Sequence, residues 1–342
     1  MPFVFSEVAT RQLDEADRCI LDLRNAPVRG RSTKFRLSQA NMLAYTFADF
    51  VPGFSSSAVY NTTPYSDIVE QPLRNADNEG RLFFDVDYAT QSNARAKVAG
   101  DNFELISAAV MWNMAARWNK FMLDGQWGQR SGYTKPTVVP DESRQIAVLN
   151  LPRNFDWVRL LTPNSTKKIA TLRKQLSAGN LGLPTSTPDL AIVALPENFR
   201  MNDTWHSELA SLSRLSQGTL QNAYRALEGQ VEPGEILLAV AFKKSLRSDR
   251  LYQPLYEANI MQLLLEGHLG APRVEFEVHT LEHIGTDARH TYEAASLYSV
   301  LNPQGDKHRA VRELYVPDHA QGLARRLLNF LNERTALIDA GG

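Results

Sequence analysis

The stretch Glu235 to Glu257, EILLAVAFKKSLRSDRLYQPLYE, constrains this chain of 342 residues more than any other. Ile236 to Phe242 is an unbroken apolar run of strand length that ends on Lys243 and Lys244. Periodicity alone does not separate a buried strand from a buried helix in so short a run. Pro233-Gly234 in front and a polar break behind favour the strand. Beyond the break, Glu257, Ile260, Met261 and Leu264 fall at helical spacing, which predicts a helix from near Ser248. The stretch reads strand, polar turn, helix.

Other buried strands are expected at Leu190–Leu195, entered through Thr187-Pro188-Asp189, and at Arg273–Val278, where Val274, Phe276 and Val278 alternate with polar residues. Short strands or turns are expected at 148–151 and 157–161, and a strand at Arg81–Tyr88. Helices are expected at 6–24, from Asp101-Asn102 as an N-cap through 103–123, at 167–176 ending on Gly179, at 208–227 and at 319–337. Residues 52–80 and 124–142 are rich in loop-forming types and read as irregular. Buried strands flanked by helices predict an α/β fold around a central mixed sheet. The expectation is one domain over 1–342 with an N-terminal helical and loop extension of about 1–80.

A hydrophobic content of 43% and a charged content of 22% are those of a soluble globular chain. Cys19 is the only cysteine, which excludes an internal disulfide framework and fits a reducing cytoplasm. The first residues lack the pattern of a signal peptide, and no apolar run reaches the roughly 20 residues needed to span a bilayer. A formal net charge of −1 argues against a non-specific polyanion binder. Phosphate affinity depends instead on where basic residues cluster. Arg24, Arg29, Arg31, Lys34 and Arg36 form one cluster without an acidic residue, and Arg153 to Lys174 carries six basic residues against Asp156 alone.

The chemistry these residues could carry is phosphodiester hydrolysis. It needs carboxylates to hold one or two Mg²⁺ ions and a cation near the attacking water. A widespread nuclease core supplies these from Pro-Asp at one strand start and Asp/Glu-x-Lys on a neighbouring strand. Pro188-Asp189 meets the first condition and Lys243 the second. Pro140-Asp141 and Pro317-Asp318 open no buried strand and read as turns. Ala241 stands two before Lys243 and cannot bind a metal. Glu257, fourteen residues after the lysine and turned to the helix's apolar side, is the substitute carboxylate. Lys244, on the opposite face of the strand, is the weaker rival to Lys243.

Lys243-Lys-Ser-Leu-Arg-Ser-Asp-Arg followed by Glu257 closely resembles the type II restriction endonucleases that read a CCGG core, a family that includes NgoMIV and SgrAI. In those enzymes the catalytic lysine is followed by x-Ser/Thr-x-Arg-x-Asp-Arg and, at the same distance, a metal-binding glutamate. The resemblance implies a restriction-endonuclease-like core in which Lys243 positions or activates the attacking water and Asp189 and Glu257 hold metal. It also implies that Arg247, Asp249 and Arg250 read the CCGG core. Arg bonds bidentately to guanine and Asp accepts from cytosine, so the two signs suit adjacent base pairs in a major groove. Glu104 fits a further glutamate of the family's active site, against the plainer reading of a favourable charge at a helix N-terminus. The likeness to SgrAI-type members runs from the Arg29-Gly-Arg-Ser loop to the opening stretch. It implies the target CRCCGGYG, cut to a 5′ CCGG overhang, with Lys97 and Arg31 near the outer base pairs.

The resemblance further implies a Mg²⁺-dependent endonuclease, with Mn²⁺ able to substitute, acting on double-stranded DNA as a homodimer. Larger DNA-bound oligomers and a cognate methyltransferase are implied with it, and no membrane partner. Two alternatives remain: a structure-selective repair nuclease, and a DNA-binding protein without catalysis. A third motif, His279-Thr-Leu-Glu-His283, spells an inverted zinc-peptidase signature. That chemistry needs a helix, whereas His279 closes a predicted strand, where four residues span roughly 13 Å.

Overall fold

The computed structural model describes residues 21–22, 28–29, 32–33, 36–84, 90, 92–128, 132–246, 248–282, 284–303 and 305–340. The chain divides into two compact units. One takes the residues up to Val110 with Leu209–Thr219 and Asp318–Gln321; the other takes Met111–Glu208, Leu220–Pro317 and Gly322–Gly342.

In the first unit, helix α1 (Gln39–Thr46) starts on Ser38, whose hydroxyl accepts the Asn41 N–H at 3.3 Å. Helix α2 spans Tyr65–Phe84, where the sequence predicts irregular chain and then a strand. Ile68, Val69, Leu73 and Ala76 of α2 are all buried, and burying that helical stripe outweighs Pro72 inside the helix. Tyr65 in turn bonds Ser107 across the unit at 2.8 Å. Helix α3 runs from Ser92 to Asp124, so Asp101 lies in its interior rather than at a cap. The alanine-rich residues before Asp101 extend the helix backwards because they are strong helix formers. Arg95 on its first turn bonds Asp77 at 2.7 Å and Glu70 at 2.9 Å.

The predicted helix over 6–24 lies outside the described residues except at its end. There Leu21–Asp22 pairs with Arg36–Leu37 as two short antiparallel strands. Val28–Arg29 pairs likewise with Ser32–Thr33.

The second unit holds a five-stranded sheet. Its strands are β1 (Ile146–Asn150), β2 (Leu190–Ala194), β3 (Ile236–Lys243), β4 (Glu275–Thr280) and β5 (Glu313–Tyr315), in that spatial order. β1, β2 and β3 pair antiparallel, whereas β3, β4 and β5 pair parallel. The sheet is therefore mixed and the fold α/β, as the sequence predicts. β1 and β2 are buried on both faces, which explains apolar runs without alternation. Helices α4 (Pro163–Ala178), α6 (Ser248–Gln262) and α7 (Ala320–Ala340) lie near their predicted places. The helix predicted over 208–227 shortens to α5 (Arg214–Asn222) and a 3-10 turn at Ala223–Leu227. Residues 157–160 form a 3-10 turn.

Within this unit the end of α3 is tied to the sheet by a buried amide. Asn119 donates to the carbonyls of Ile146 and Trp205 and accepts the Ile146 N–H, each at 2.8 Å. Among the described residues no helix is long and apolar enough to cross a membrane.

Candidate active site

The antiparallel pairing of β2 with β3 sets Leu190 opposite Val240. The residue just before β2 is thereby carried to the end of β3. There Asp189 Oδ2 accepts the backbone N–H of Phe242 at 2.7 Å and meets Lys243 Nζ at 3.5 Å. Both side chains are largely sheltered, with 17% and 16% of their surface exposed. A carboxylate and a strand end separated by 53 positions of sequence thus become neighbours through strand register alone.

Helix α6 brings the second carboxylate. Glu257 is buried, with only 3% exposed, because it shares a helix face with Ala258 and Met261, also buried. Its Oε1 accepts from Ser186 Oγ at 2.6 Å and from Gln253 Nε2 at 2.8 Å. Its Oε2 is buried without a hydrogen-bond partner among the described residues. Burial raises the Glu257 pKa above the usual carboxylate range. The Ser186 hydrogen bond, the Lys243 charge and the Gln253 hydrogen bond oppose that rise, while Asp189 adds to it.

The segment before β2 is stitched on every side. The Pro184 carbonyl accepts from Tyr256 Oη at 3.2 Å. Thr185 accepts from Arg173 at 2.7 Å and donates to Asp156 at 3.0 Å. Thr187 donates to the Phe155 carbonyl.

These residues fit a hard divalent cation. Two carboxylates converge beside a lysine, and one buried carboxylate oxygen has no donor of its own among the described residues. Among those residues no cluster of three or more His, Cys, Asp or Glu forms a fuller cage. A cation held by two carboxylates keeps positions for water and phosphate oxygens, which is how Mg²⁺ is ordinarily bound.

Asp249 and Arg250 lie in the first turn of α6; Arg247 and Arg31 lie outside the described residues. Lys97 is exposed near the start of α3. Glu104 is half-buried in the middle of α3, in the first unit. It is not in a first helical turn, so the favourable-terminus reading of its charge falls. Lys244 directly succeeds the last residue of β3. His283 lies outside the described residues. His279 sits within strand β4, fully buried, its Nε2 at 3.0 Å from Glu277, so the motif is not the helix that a zinc peptidase requires.

Sequence reasoning missed Ser186 and Gln253. Gln253 is four residues before Glu257 and could have been found by helical spacing. Ser186 carries no local signal, since only the fold brings it to α6. The buried ion cluster also escaped it. Glu277 is bonded by Arg326 at 2.6 Å and lies 3.9 Å from Arg312. Its two arginines come from distant parts of the chain.

Comparison with solved structures supports this architecture. The crystal structure of the Type IIF restriction endonuclease Bse634I with cognate DNA superposes with a TM-score of 0.74 at 17% identity, covering 92% of this chain and 98% of that one. A second Bse634I restriction endonuclease structure gives 0.72 at 18% identity, covering 91% and 97%. These likenesses show the restriction-endonuclease fold. No curated protein sequence matches. A model of the Cfr10I/Bse634I restriction endonuclease family matches residues 49–333. With the fold, the Asp189–Lys243 pair and that match together, the chain belongs to the Cfr10I/Bse634I family of type II restriction endonucleases.

Proposed function

We propose that this enzyme cuts double-stranded DNA at the palindrome CRCCGGYG, leaving 5′-phosphate ends with a 5′ CCGG overhang, as a Mg²⁺-dependent homodimer of the SgrAI type. The observation that carries the reading is the Asp189–Lys243 pair at the end of β3, with the buried carboxyl of Glu257 close enough to feel both charges, and with Asp249 and Arg250 in the first turn of α6. The neighbouring Bse634I structure contains cognate DNA. A palindromic target suits a two-fold dimer in which each subunit cuts one strand.

Asp189 and Glu257 would hold the divalent ion, with Mn²⁺ as a substitute. When bound, the ion supplies Lewis-acid stabilisation of the charge that builds on the scissile phosphate. Lys243 orients the attacking water and offsets negative charge at the phosphate. The water oxygen gives up a proton to solvent as it forms a bond to phosphorus in line with the departing O3′; the P–O3′ bond breaks, and O3′ takes a proton from solvent and leaves as a hydroxyl. Asp189 holds Lys243 and the end of β3 in one arrangement through its two contacts. Arg247, Asp249 and Arg250 read the CCGG core, and Lys97 and Arg31 address the flanking pairs. The 342 residues act as a single catalytic domain in the cytoplasm, beside a cognate methyltransferase and in larger assemblies on DNA.

The test is Mg²⁺-dependent cleavage of a plasmid with one CACCGGTG site, next to a plasmid whose CCGG core is destroyed. Cleavage of the first alone is expected. Equal cleavage of both supports a structure-selective nuclease instead, and selective binding without cleavage supports a reader without catalysis.

A further inference from the structure

We propose that Ser186 and Gln253 are positioning residues that orient Glu257 for the metal, an inference that rests on Glu257 being a metal ligand. A carboxylate's two oxygens are chemically equivalent and its terminal torsion is soft. Here they are made unequal. Oε1 takes two neutral donors, Ser186 Oγ at 2.6 Å and Gln253 Nε2 at 2.8 Å, while Oε2 is buried with none among the described residues. Leaving a buried acceptor unpaired is unfavourable unless a cation completes it. With Oε1 saturated, the carboxylate is restrained from turning both oxygens to the Lys243 charge.

The two donors arrive from different elements. Gln253 stands one turn before Glu257 on α6, so it moves with the glutamate. Ser186 stands three residues before Asp189 on the segment entering β2. It therefore couples the strand that carries one carboxylate to the helix that carries the other. Ser186 is itself held from both sides. Thr185 is bonded to Arg173 and Asp156, and Thr187 to the Phe155 carbonyl. A serine whose only task was to cap a buried acceptor would not need both neighbours anchored.

The experiment titrates Mn²⁺ against the full-length protein and reads free Mn²⁺ by electron paramagnetic resonance, with cleavage measured separately against Mn²⁺ concentration. The variants are Ser186→Ala, Gln253→Leu, Ser186→Thr and Glu257→Gln. Gln253 is exposed, so its replacement tests the idea even where Ser186→Ala unfolds the chain.

Ser186→Ala and Gln253→Leu are each expected to weaken Mn²⁺ binding by about 10–100-fold, the usual effect of removing a partner that orients a metal ligand. They should raise the half-saturating Mn²⁺ for cleavage more than they lower the rate at saturation. Ser186→Thr should restore the binding. A purely structural role would lower the melting temperature and leave the Mn²⁺ constant alone. If Glu257→Gln weakens binding while Ser186→Ala and Gln253→Leu do not, the positioning inference is overturned by itself. If the wild-type chain shows no saturable Mn²⁺ binding, or Glu257→Gln leaves it unchanged, the ligand reading beneath it is overturned.

Discussion

Phe242 donates its backbone N–H to Asp189 Oδ2 at 2.7 Å, and Lys243, the next residue, reaches the same oxygen at 3.5 Å. One carboxylate oxygen thus closes the end of β3 and holds the lysine on it. The strand amide holds that oxygen at hydrogen-bond distance, and the ammonium at 3.5 Å adds attraction between opposite charges.

Lys243→Ala is expected to lower the cleavage rate by about 10²–10⁴-fold, the range for losing a group that orients or activates the attacking water. Affinity for a CACCGGTG duplex, measured by fluorescence anisotropy with Ca²⁺ replacing Mg²⁺, should stay nearly unchanged. Loss of binding together with cleavage would count against the role given to this lysine.

Arg250→Ala is expected to weaken binding to the CCGG duplex by about 1–3 kcal/mol and to narrow the gap between that duplex and one with a changed core. Competition binding against both duplexes reads this. An unchanged preference would remove Arg250 from the reader.

Glu277 makes stability depend on pH. Burial alone would raise its pKa, but the His279 hydrogen bond and the attraction of His279 and Arg326 outweigh it and bring the value down to about 2 from an ordinary 4.5. A carboxylate with a depressed folded pKa contributes stability above its unfolded value, and that contribution is lost as pH falls towards 2. The difference corresponds to about 3 kcal/mol. Urea unfolding from pH 7 down to about pH 2.5 should show the wild type losing stability below about pH 5. Glu277→Gln should lose less over the same window. Parallel curves for the two proteins would sink the argument.

Asn119→Ala removes three 2.8 Å hydrogen bonds between α3, β1 and the turn at Trp205. Two carbonyls and one N–H are then left without their partner in the interior. Destabilisation of about 2–4 kcal/mol is expected from chemical denaturation. A loss under about 0.5 kcal/mol would mean that water or a shifted backbone replaces the amide.

Much of the second unit is legible in the residues alone. LAIVAL and ILLAVAF are apolar runs of strand length whose flanking Pro-Asp, Pro-Gly and polar breaks favour buried strands over helix, and the spacing of Glu257, Ile260 and Met261 marks α6. Lys243 at a strand end and Pro-Asp at a strand start stand out as candidates. The first unit is far less legible. Local composition at 52–84 favours loop and strand, and only the burial of Ile68, Val69, Leu73 and Ala76 makes it helical. Asp101 resembles a cap in sequence, yet α3 begins nine residues earlier, at Ser92, because nothing local stops a helix there.

Local spacing of residue types therefore carries the apolar runs of strand length, the amphipathic α6, and Asp189, Lys243 and Glu257 as the chemical inventory. These properties are set by backbone geometry and the hydrophobic effect over a few residues. Which members of that inventory meet is a matter of long-range packing. The antiparallel register of β2 on β3 puts Asp189 against Phe242 and Lys243. The seating of α6 gives Glu257 one saturated and one open oxygen through Ser186, 71 positions away. Contacts between distant segments depend on register and packing direction, which no short window of sequence encodes.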